Sequence, residues 1–530
     1  MIRIRDISLR PGEGMMQLIQ SAAKTLKCTP KEILRFQIVK RSIDARKKQD
    51  VRVIYTVDVS VKGDEAQRIA RAKSPKVTPS DYRPYHLPMP AGLPEHRPVV
   101  VGFGPGGMFA ALTLAEAGLR PIVLERGLDA QTRHEKVEHF WKTGELDPSC
   151  NVQFGEGGAG TFSDGKLNTG TRDDRQGFVF QQLVNFGADE SILYDAKPHI
   201  GTDVLLNVVQ NLRKRVIELG GEVHFGTKLV AIDAVDGTVS SVRYEKDGEV
   251  FSLPCSHLIL AIGHSARDTF RMLLESGVPM EPKAFSMGVR IEHKQKAVDA
   301  AQYGGFAGHP ALPAADYKLN CRLPDGTSAY TFCMCPGGYV VAAASEDGGV
   351  VTNGMSYSGR DGKNANAALL VTLHPEDFPY EGVLGGAKWQ REIEEKAFEV
   401  GGRNYHAPAQ LVGDFLQKKP SSSLCSIEPT YKPGVTLCDL HDVLPRRITD
   451  TLEQAIPVLN RYLNGFSDPE AVLTAPETRS SSPVRILRDE SCQSSLRGLF
   501  PCGEGAGYAG GITSACTDGV RCAEALIASL

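Results

Sequence analysis

At 530 residues, 41% of them hydrophobic and 23% charged, the chain has the composition of a globular protein and length for two or three domains. It has no run of about 18 apolar residues to span a membrane, and its opening, MIRIRDISLRPGEG, has no apolar signal core, so a cytoplasmic protein is expected. The net charge of −3 conceals a division: residues 1–83 carry 19 Lys and Arg against 9 Asp and Glu, a balance of +10 that leaves −13 for the rest.

The basic segment comes first and reads as a small α/β module over residues 1–73. IRIRDISL (Ile2–Leu9) alternates with period two, as a half-buried strand does. MMQLIQSAAKTL follows with Met16, Ile19, Ala22 and Ala23 at helical spacing. Thr29, Pro30 and Glu32 have the spacing of a helix cap and capping box. Two alternating strands then flank the basic tip Arg46-Lys47-Lys48. Seven prolines between Ser74 and Pro98 mark an extended linker over residues 74–98.

RPVVVGFGPGGMFAALTLAEAGLRPIVLERG comes next. Val99–Val101 reads as a buried strand, Gly102-x-Gly104-Pro105-Gly106-Gly107 as a tight turn, and Met108–Ala117 as an apolar helix. Ile122–Leu124 is a second strand, ending at Glu125 and Arg126. Strand, glycines, helix, strand and acid together form a dinucleotide fingerprint. The first glycine permits the turn, and the second lets backbone approach a pyrophosphate at the helix N-terminus. The third allows the helix to pack close on the sheet, and a carboxylate at Glu125 suits an adenosine ribose.

The fingerprint alone leaves FAD and NAD(P) as candidates. Three later segments decide between them. Asn151–Thr171 is a glycine-rich loop containing Gly157, Gly158, Gly160 and Ser163, suited to wrapping phosphate and a ring edge. GGEVHFGTKLVAID, which includes Val230, opens a meander of short antiparallel strands that ends in the apolar strand Leu258–Ile262 and Gly263. The last segment, FPCGEGAGYAGGITSACTDG, has five glycines among the nine residues Gly503–Gly511 and leads into an apolar closing helix from Thr513 or Ser514 to Ala528.

These four segments, in this order, resemble the FAD-dependent oxidoreductase superfamily whose flavin domain is shared by glutathione reductase, fumarate reductase and aromatic hydroxylases. More narrowly, the whole chain, basic module included, is similar to a bacterial group of FAD-dependent dehydrogenases. The superfamily's "ATG" element reads Ala261-Ile262-Gly263 here, and its late Gly-Asp reads Gly503-Glu504. The resemblance implies an α/β fold with a split Rossmann-like FAD domain, residues 96–268 and 476–530. Residues 269–475 are then an inserted, mainly antiparallel β substrate domain. It also implies FAD contacts at the fingerprint, at Glu125, Arg126 and Val230, in the glycine-rich loop, at Ala261 and Gly263, and at Gly503, Glu504, Gly510, Gly511 and Ile512.

Absences narrow the reaction. No CxxxxC follows the fingerprint, as a disulfide reductase of that superfamily requires, and no second GxGxxG has strand–helix context. A nicotinamide donor, NADH or NADPH, would therefore bind only transiently. Trp141 and Trp389 are too far apart for a halogenase WxWxxP, and SDGKLNTGTR (Ser163–Arg172) comes too soon for the hydroxylase motif it superficially matches. The twelve cysteines include no CxxC; Cys333-x-Cys335 is the closest pair, and no metal site is expected.

Substrate contacts are sought in three places. Arg290 and His293 in GVRIEH suit an anion and a proton transfer, or else are a strand-end arginine and a surface histidine. Arg479 and Arg485 in PETRSSSPVRI have the residue types of a carboxylate cradle, or of a polar crossover loop. Lys166 and Asn168 lie in the glycine-rich loop, where a lysine would stabilise a reduced anionic flavin or stand solvated. The expected activity is an FAD-dependent oxidoreductase transferring hydride between a small organic molecule and flavin N5. The alternative is a tRNA-modifying flavoprotein that docks nucleic acid on the basic module. Phe36 and Tyr55 are that module's main candidates for base stacking, which favours instead docking on the acidic body, a protein partner or self-association.

Overall fold

The computed structural model describes residues 1–81, 84–170 and 173–530. The N-terminal module has the order strand Ile2–Leu9, helix Met15–Thr25, strands Ile33–Asp44 and Arg52–Val61, helix Glu65–Ala72 and strand Val77–Pro79. All pairings are antiparallel, and Ile2–Leu9 lies between Arg52–Val61 and Val77–Pro79. This is a ferredoxin-like βαββαβ unit. Its last strand lies inside the predicted linker, because Ile2–Ile4 offers a free ladder edge to Val77–Pro79. A module ending at residue 73 would lack it. The first helix buries Leu18 and Ala22, with Leu26 at its C-cap continuing the i, i+4, i+8 stripe, and leaves Met16 exposed.

Five parallel strands make the central sheet, in the order Leu499–Pro501, Leu258–Leu260, Val99–Val101, Ile122–Leu124 and Glu222–His224. Residues about 400 apart thus share one sheet, as the split fingerprint segments require. Each of the three central strands is three residues long and apolar, as strands covered on both faces must be. Two helices, Pro105–Glu116 and Ile512–Ala528, cross closely beside it. A Cβ on Gly519 would lie 2.1 Å from the Gly106 carbonyl oxygen, so only glycine lets these backbones meet. The first helix starts at Pro105, three residues before the predicted start, since proline suits the first helical position. The strands Lys228–Val235, Thr238–Lys246 and Glu249–Pro254 form the expected antiparallel meander.

The remaining large sheet has seven strands, in the order Asn320–Arg322, Ser328–Cys335, Asn364–Leu373, Phe285–Lys294, Val472–Glu477, Ala407–Leu411 and Val435–Leu437. All neighbours are antiparallel except the last pair. The predicted boundary at 475/476 cuts the strand Val472–Glu477, whose six residues are all buried. The chain leaves this sheet after Glu477 and pairs Val484–Ile486 with Met280–Pro282 on its way back. Among the described residues, no helix is long and apolar enough to cross a membrane.

Candidate active site

The fingerprint turn, the glycine-rich loop, the strand-end Ala261–Ala266 segment and the Gly503–Ile512 loop meet around one cavity of about 400 Å³. Two helices begin at its wall, at Gly104 and at Gly511, and neither N-terminus is capped by a side chain. Their first N–H groups and positive dipole ends are thus available to an anionic or electron-rich ligand. Gly102, at φ +91°, packs so closely on the neighbouring strand that a Cβ would lie 2.3 Å from the Ala261 oxygen. A Cβ on Gly158, at φ +61°, would lie 2.9 Å from the Gly104 Cα. At Gly503, Gly510 and Gly511 the opposite holds: an added Cβ meets nothing within 4 Å, and all three border the open cavity.

Polar side chains hold this backbone in place. Glu125 accepts from the N–H groups of Phe103, Gly127 and Gly155 at 2.7, 2.8 and 3.0 Å. Its carboxylate therefore ties strand end, turn and glycine-rich loop together, and a ribose would share it with three amides. Arg133, on the helix Ala130–Thr143, is fully buried and donates to the carbonyls of Asn151, Val152 and Glu156. That burial lowers its pKa to about 10. Arg126 lies 4.3 Å from the Phe154 ring and is paired to Asp268 at 2.6 Å. The Gly503 N–H donates to Asp518, which also accepts from Arg488.

The chemical groups gather where the last loop meets the seven-stranded sheet. Glu504 lines the cavity, and burial pushes its carboxyl up to about 7 despite the Gly511 N–H beside it. His264 Nδ1 stands 3.5 Å from Glu504 Oε1. Burial, with Arg479 and Arg267 nearby, lowers His264 to about 4, so its ring is neutral at neutral pH. No hydrogen bond of good geometry reaches its buried Nε2, although the Arg479 backbone lies beside the ring. Lys166, Asn168, Phe332, Cys333 and Asn353 line the same cavity. Lys166 Nζ is 3.6 Å from Asp164, whose carboxylate is already paired with Arg360.

Most of the expected cofactor residues line this cavity: Gly102, Gly104, Pro105, Gly106, Glu125, Arg126, Gly158, Gly160, Ser163, Ala261, Gly263, Gly503, Glu504, Gly510, Gly511 and Ile512. Gly107, Gly157 and Val230 do not. A Cβ on Gly107 would sit 1.9 Å from the Gly102 oxygen, so this glycine serves the helix–turn packing. Gly157 faces the Thr161 and Val209 side chains. Leu229, one residue before Val230, lines the cavity instead; Val230 falls at a register shift between Leu229 and Ala231.

The expected substrate contacts fare differently. Arg290 is fully buried in the sheet, bonded to Glu477, Asn353, Asn366 and the Cys333 carbonyl, and has no free donor for an anion. His293 is 4% exposed and bonds the Phe466 carbonyl among aromatic rings, so it is neither at the cavity nor on the surface. Arg479 does line the cavity, but its guanidinium is committed to Glu394, Glu346 and Ser345. Arg485 lies 3.5 Å from Glu281, outside the cavity lining. Of the SDGKLNTGTR stretch, Thr171 and Arg172 lie outside the described residues. His264 escaped the sequence reading although it directly follows the Ala-Ile-Gly element; its position one residue past Gly263 was the available signal.

Among the described residues, Cys502, Asp518 and Cys522 have metal-ligand spacing. The Arg488 guanidinium, bonded to Asp518 and Cys522, already supplies a cation there.

A split parallel sheet, an uncapped fingerprint helix and an inserted antiparallel sheet give a mixed α/β, Rossmann-like fold of the kind that binds FAD. The cavity's open glycines and free helix N-termini fit that cofactor. Residues 284–480 match the family described as "FAD-dependent protein, C-terminal domain-like", and residues 1–60 match a domain of unknown function. The chain belongs to one family with a Clostridium beijerinckii protein described as "Uncharacterized protein", which is 47% identical over 532 residues, 99% of this chain and 98% of that one. Distant likenesses among solved structures include E. coli quinol fumarate reductase, at 12% identity over 82% of this chain and 70% of that one, TM-score 0.37. A geranylgeranyl bacteriochlorophyll reductase-like protein of Thermoplasma acidophilum is 13% identical over 83% of this chain and 80% of that one, TM-score 0.37. A glycerol-3-phosphate dehydrogenase of Bacillus halodurans, complexed with FAD, is 12% identical over 82% and 65%, TM-score 0.35.

Proposed function

We propose that this protein is an FAD-dependent oxidoreductase that exchanges hydride between a small organic substrate and the N5 position of FAD, with NADH or NADPH as a transient donor. One observation carries the reading: two helix N-termini without side-chain caps open on a single cavity lined by glycines whose Cβ positions are empty. Bound FAD supplies reversible two-electron hydride chemistry.

The chain's own residues do the rest. The turn from Gly102 to Gly107 and the free first-turn N–H groups of Gly106 and Gly107 receive pyrophosphate. The helix beginning at Ile512 directs its positive end toward the cavity, where it stabilises negative charge that develops on reduction. Lys166 adds a second positive centre on the cavity wall. Glu504 is half protonated near neutral pH and faces the neutral His264, so the pair holds one exchangeable proton between Oε1 and Nδ1. Phe332 of the seven-stranded sheet and Asn353 of the neighbouring strand Thr352–Met355 close the cavity, exclude water and orient the substrate.

The test is reconstitution of the purified protein with FAD. Absorbance bands near roughly 370 and 450 nm, bleached anaerobically by a nicotinamide or another small hydride donor, are expected. His264→Asn is expected to retain the bands and slow bleaching by tenfold or more, in the range of a lost proton-transfer group of about 100-fold. Protein that takes up no FAD contradicts the reading.

A further inference from the structure

The sequence's closest cysteine pair, Cys333-x-Cys335, has no part in the chemistry above, and its setting is unusual. The strand Ser328–Cys335 pairs regularly with Asn364–Leu373 up to Phe332, then slips register before Cys335. At that bulge Cys333 takes φ +41°, a left-handed conformation that side chains rarely adopt. The bulge turns Cys333 into the cavity lining, half-buried, while Cys335 stays buried behind it. Cys335 Sγ donates to the Cys333 carbonyl at 3.2 Å, which holds the two residues side by side. The same carbonyl receives Arg290 Nη1 at 2.8 Å, which places a permanently charged guanidinium beside the pair.

We propose that Cys333 and Cys335 form a redox-active dithiol–disulfide pair that exchanges two electrons with the bound flavin; this rests on the FAD reading above. The positional logic is that of an attacking and a resolving thiol. Cys333 faces the cavity, where a ligand can reach it, and Cys335 is held against it from inside the sheet. The neighbouring Cys335 thiol and the charges of Arg290 and Lys166 favour the Cys333 thiolate, while burial, with Cys333 beside it, makes Cys335 keep its proton. In the oxidising direction, one S–S bond forms between the Cys333 thiolate and Cys335, and the Cys335 S–H bond breaks. The electron pair and that proton pass to oxidised FAD, giving its two-electron-reduced anion, so charge and atoms balance. The reverse direction regenerates the thiolate and thiol.

The conformation at Cys333 fits this role better than a packing one. A strand cysteine serving only as filler has no need of a positive φ, and neighbouring Thr331 and Met334 are buried without one. The Arg290–Glu477 pair, with bonds of 2.8 Å from both Nε and Nη2, keeps the guanidinium fixed beside the Cys333 carbonyl. Its charge therefore remains in place in both redox states of the pair.

Two measurements on the full-length protein test this. The tryptic segment from residue 323 to residue 360 contains Cys333 and Cys335 as its cysteines. After diamide treatment and alkylation, it is expected to lose two hydrogens, carry no alkyl label, and regain both labels after dithiothreitol. Full labelling of both cysteines after diamide, or a peroxidised product instead of a disulfide, overturns the proposal. Anaerobic dithionite titration of diamide-treated, FAD-loaded protein, freed of excess diamide, is expected to consume four electrons per chain, two for the flavin and two for the disulfide. Cys335→Ser is expected to consume two. A flavoprotein that consumes two electrons as wild type sinks the dithiol and leaves the FAD reading standing. A wild-type chain that binds no FAD sinks the FAD reading and the electron exchange with it, whatever the peptide shows. If Cys335→Ser fails to fold, both wild-type measurements still decide.

Discussion

Burial disfavours the charged forms of the Glu504 carboxyl and the His264 ring, and the two respond to pH in opposite senses. Glu504 has its pKa raised to about 7, so its contribution to stability is fully present below the unfolded value near 4.5 and is lost as pH rises through 7. His264 has its pKa lowered to about 4, so its contribution is present above 6.5 and is lost as pH falls toward 4. In urea titrations of the FAD-free protein, Glu504→Gln should therefore abolish a loss of stability between about pH 5 and 8 on the order of 2 kcal/mol, a figure reduced for water in the open cavity. An unchanged pH slope in the variant would place the titration elsewhere. His264 itself was invisible to periodicity, since it sits in a loop where spacing carries no signal. Arg290 and His293 were misjudged for a related reason: nine of the ten residues Phe285–Lys294 are buried, so alternation could not tell which face met the cavity.

At the scale of elements, the decisive contacts are backbone to backbone, and glycine is where sequence speaks most plainly. At the helix crossing, Gly519 admits no Cβ, because the nearest atom is the Gly106 carbonyl oxygen, which no rotamer change can move. Gly519→Ala should gain roughly 1 kcal/mol from helix propensity but lose about 1–3 kcal/mol to overpacking. A net fall in thermal midpoint of several degrees is expected by calorimetry, and a rise would mean that the helices separate easily. The fingerprint, the meander and the closing helix were legible because each carries a local rule: glycines at fixed offsets, alternation, or an apolar period. The Val77–Pro79 strand was hidden by prolines, which are tolerated at a sheet edge, and the 475/476 boundary fell inside a strand because sheet membership is a long-range property.

For the whole molecule, the split sheet and the basic module are the two features to reconcile. The module is attached to the body by main chain as well as charge. The Arg41 N–H donates to the Tyr194 carbonyl at 2.7 Å, and the Ala196 N–H to the Arg41 carbonyl at 2.8 Å. Arg41 also pairs with Asp195 through Nε and Nη2, at 2.5 and 2.6 Å. Because that ion pair is partly exposed, Arg41→Ala should cost under about 1 kcal/mol in chemical denaturation, with the difference shrinking at high salt. A larger, salt-independent loss would mean that the side chain packs rather than pairs. The charge asymmetry was readable from composition, whereas the surface it meets was not, since residues 41 and 195 are brought together only by the fold. The central claim concerns the cavity, and Gly510 offers the cleanest probe of it: its Cβ would meet no atom within 4 Å, and it lines the cavity wall. Titrating FAD into FAD-free wild type and Gly510→Leu by flavin fluorescence should show one site per wild-type chain. In the variant, affinity should fall tenfold or more with unchanged circular dichroism. Equal affinity in the two proteins, or no binding by wild type, would contradict the account.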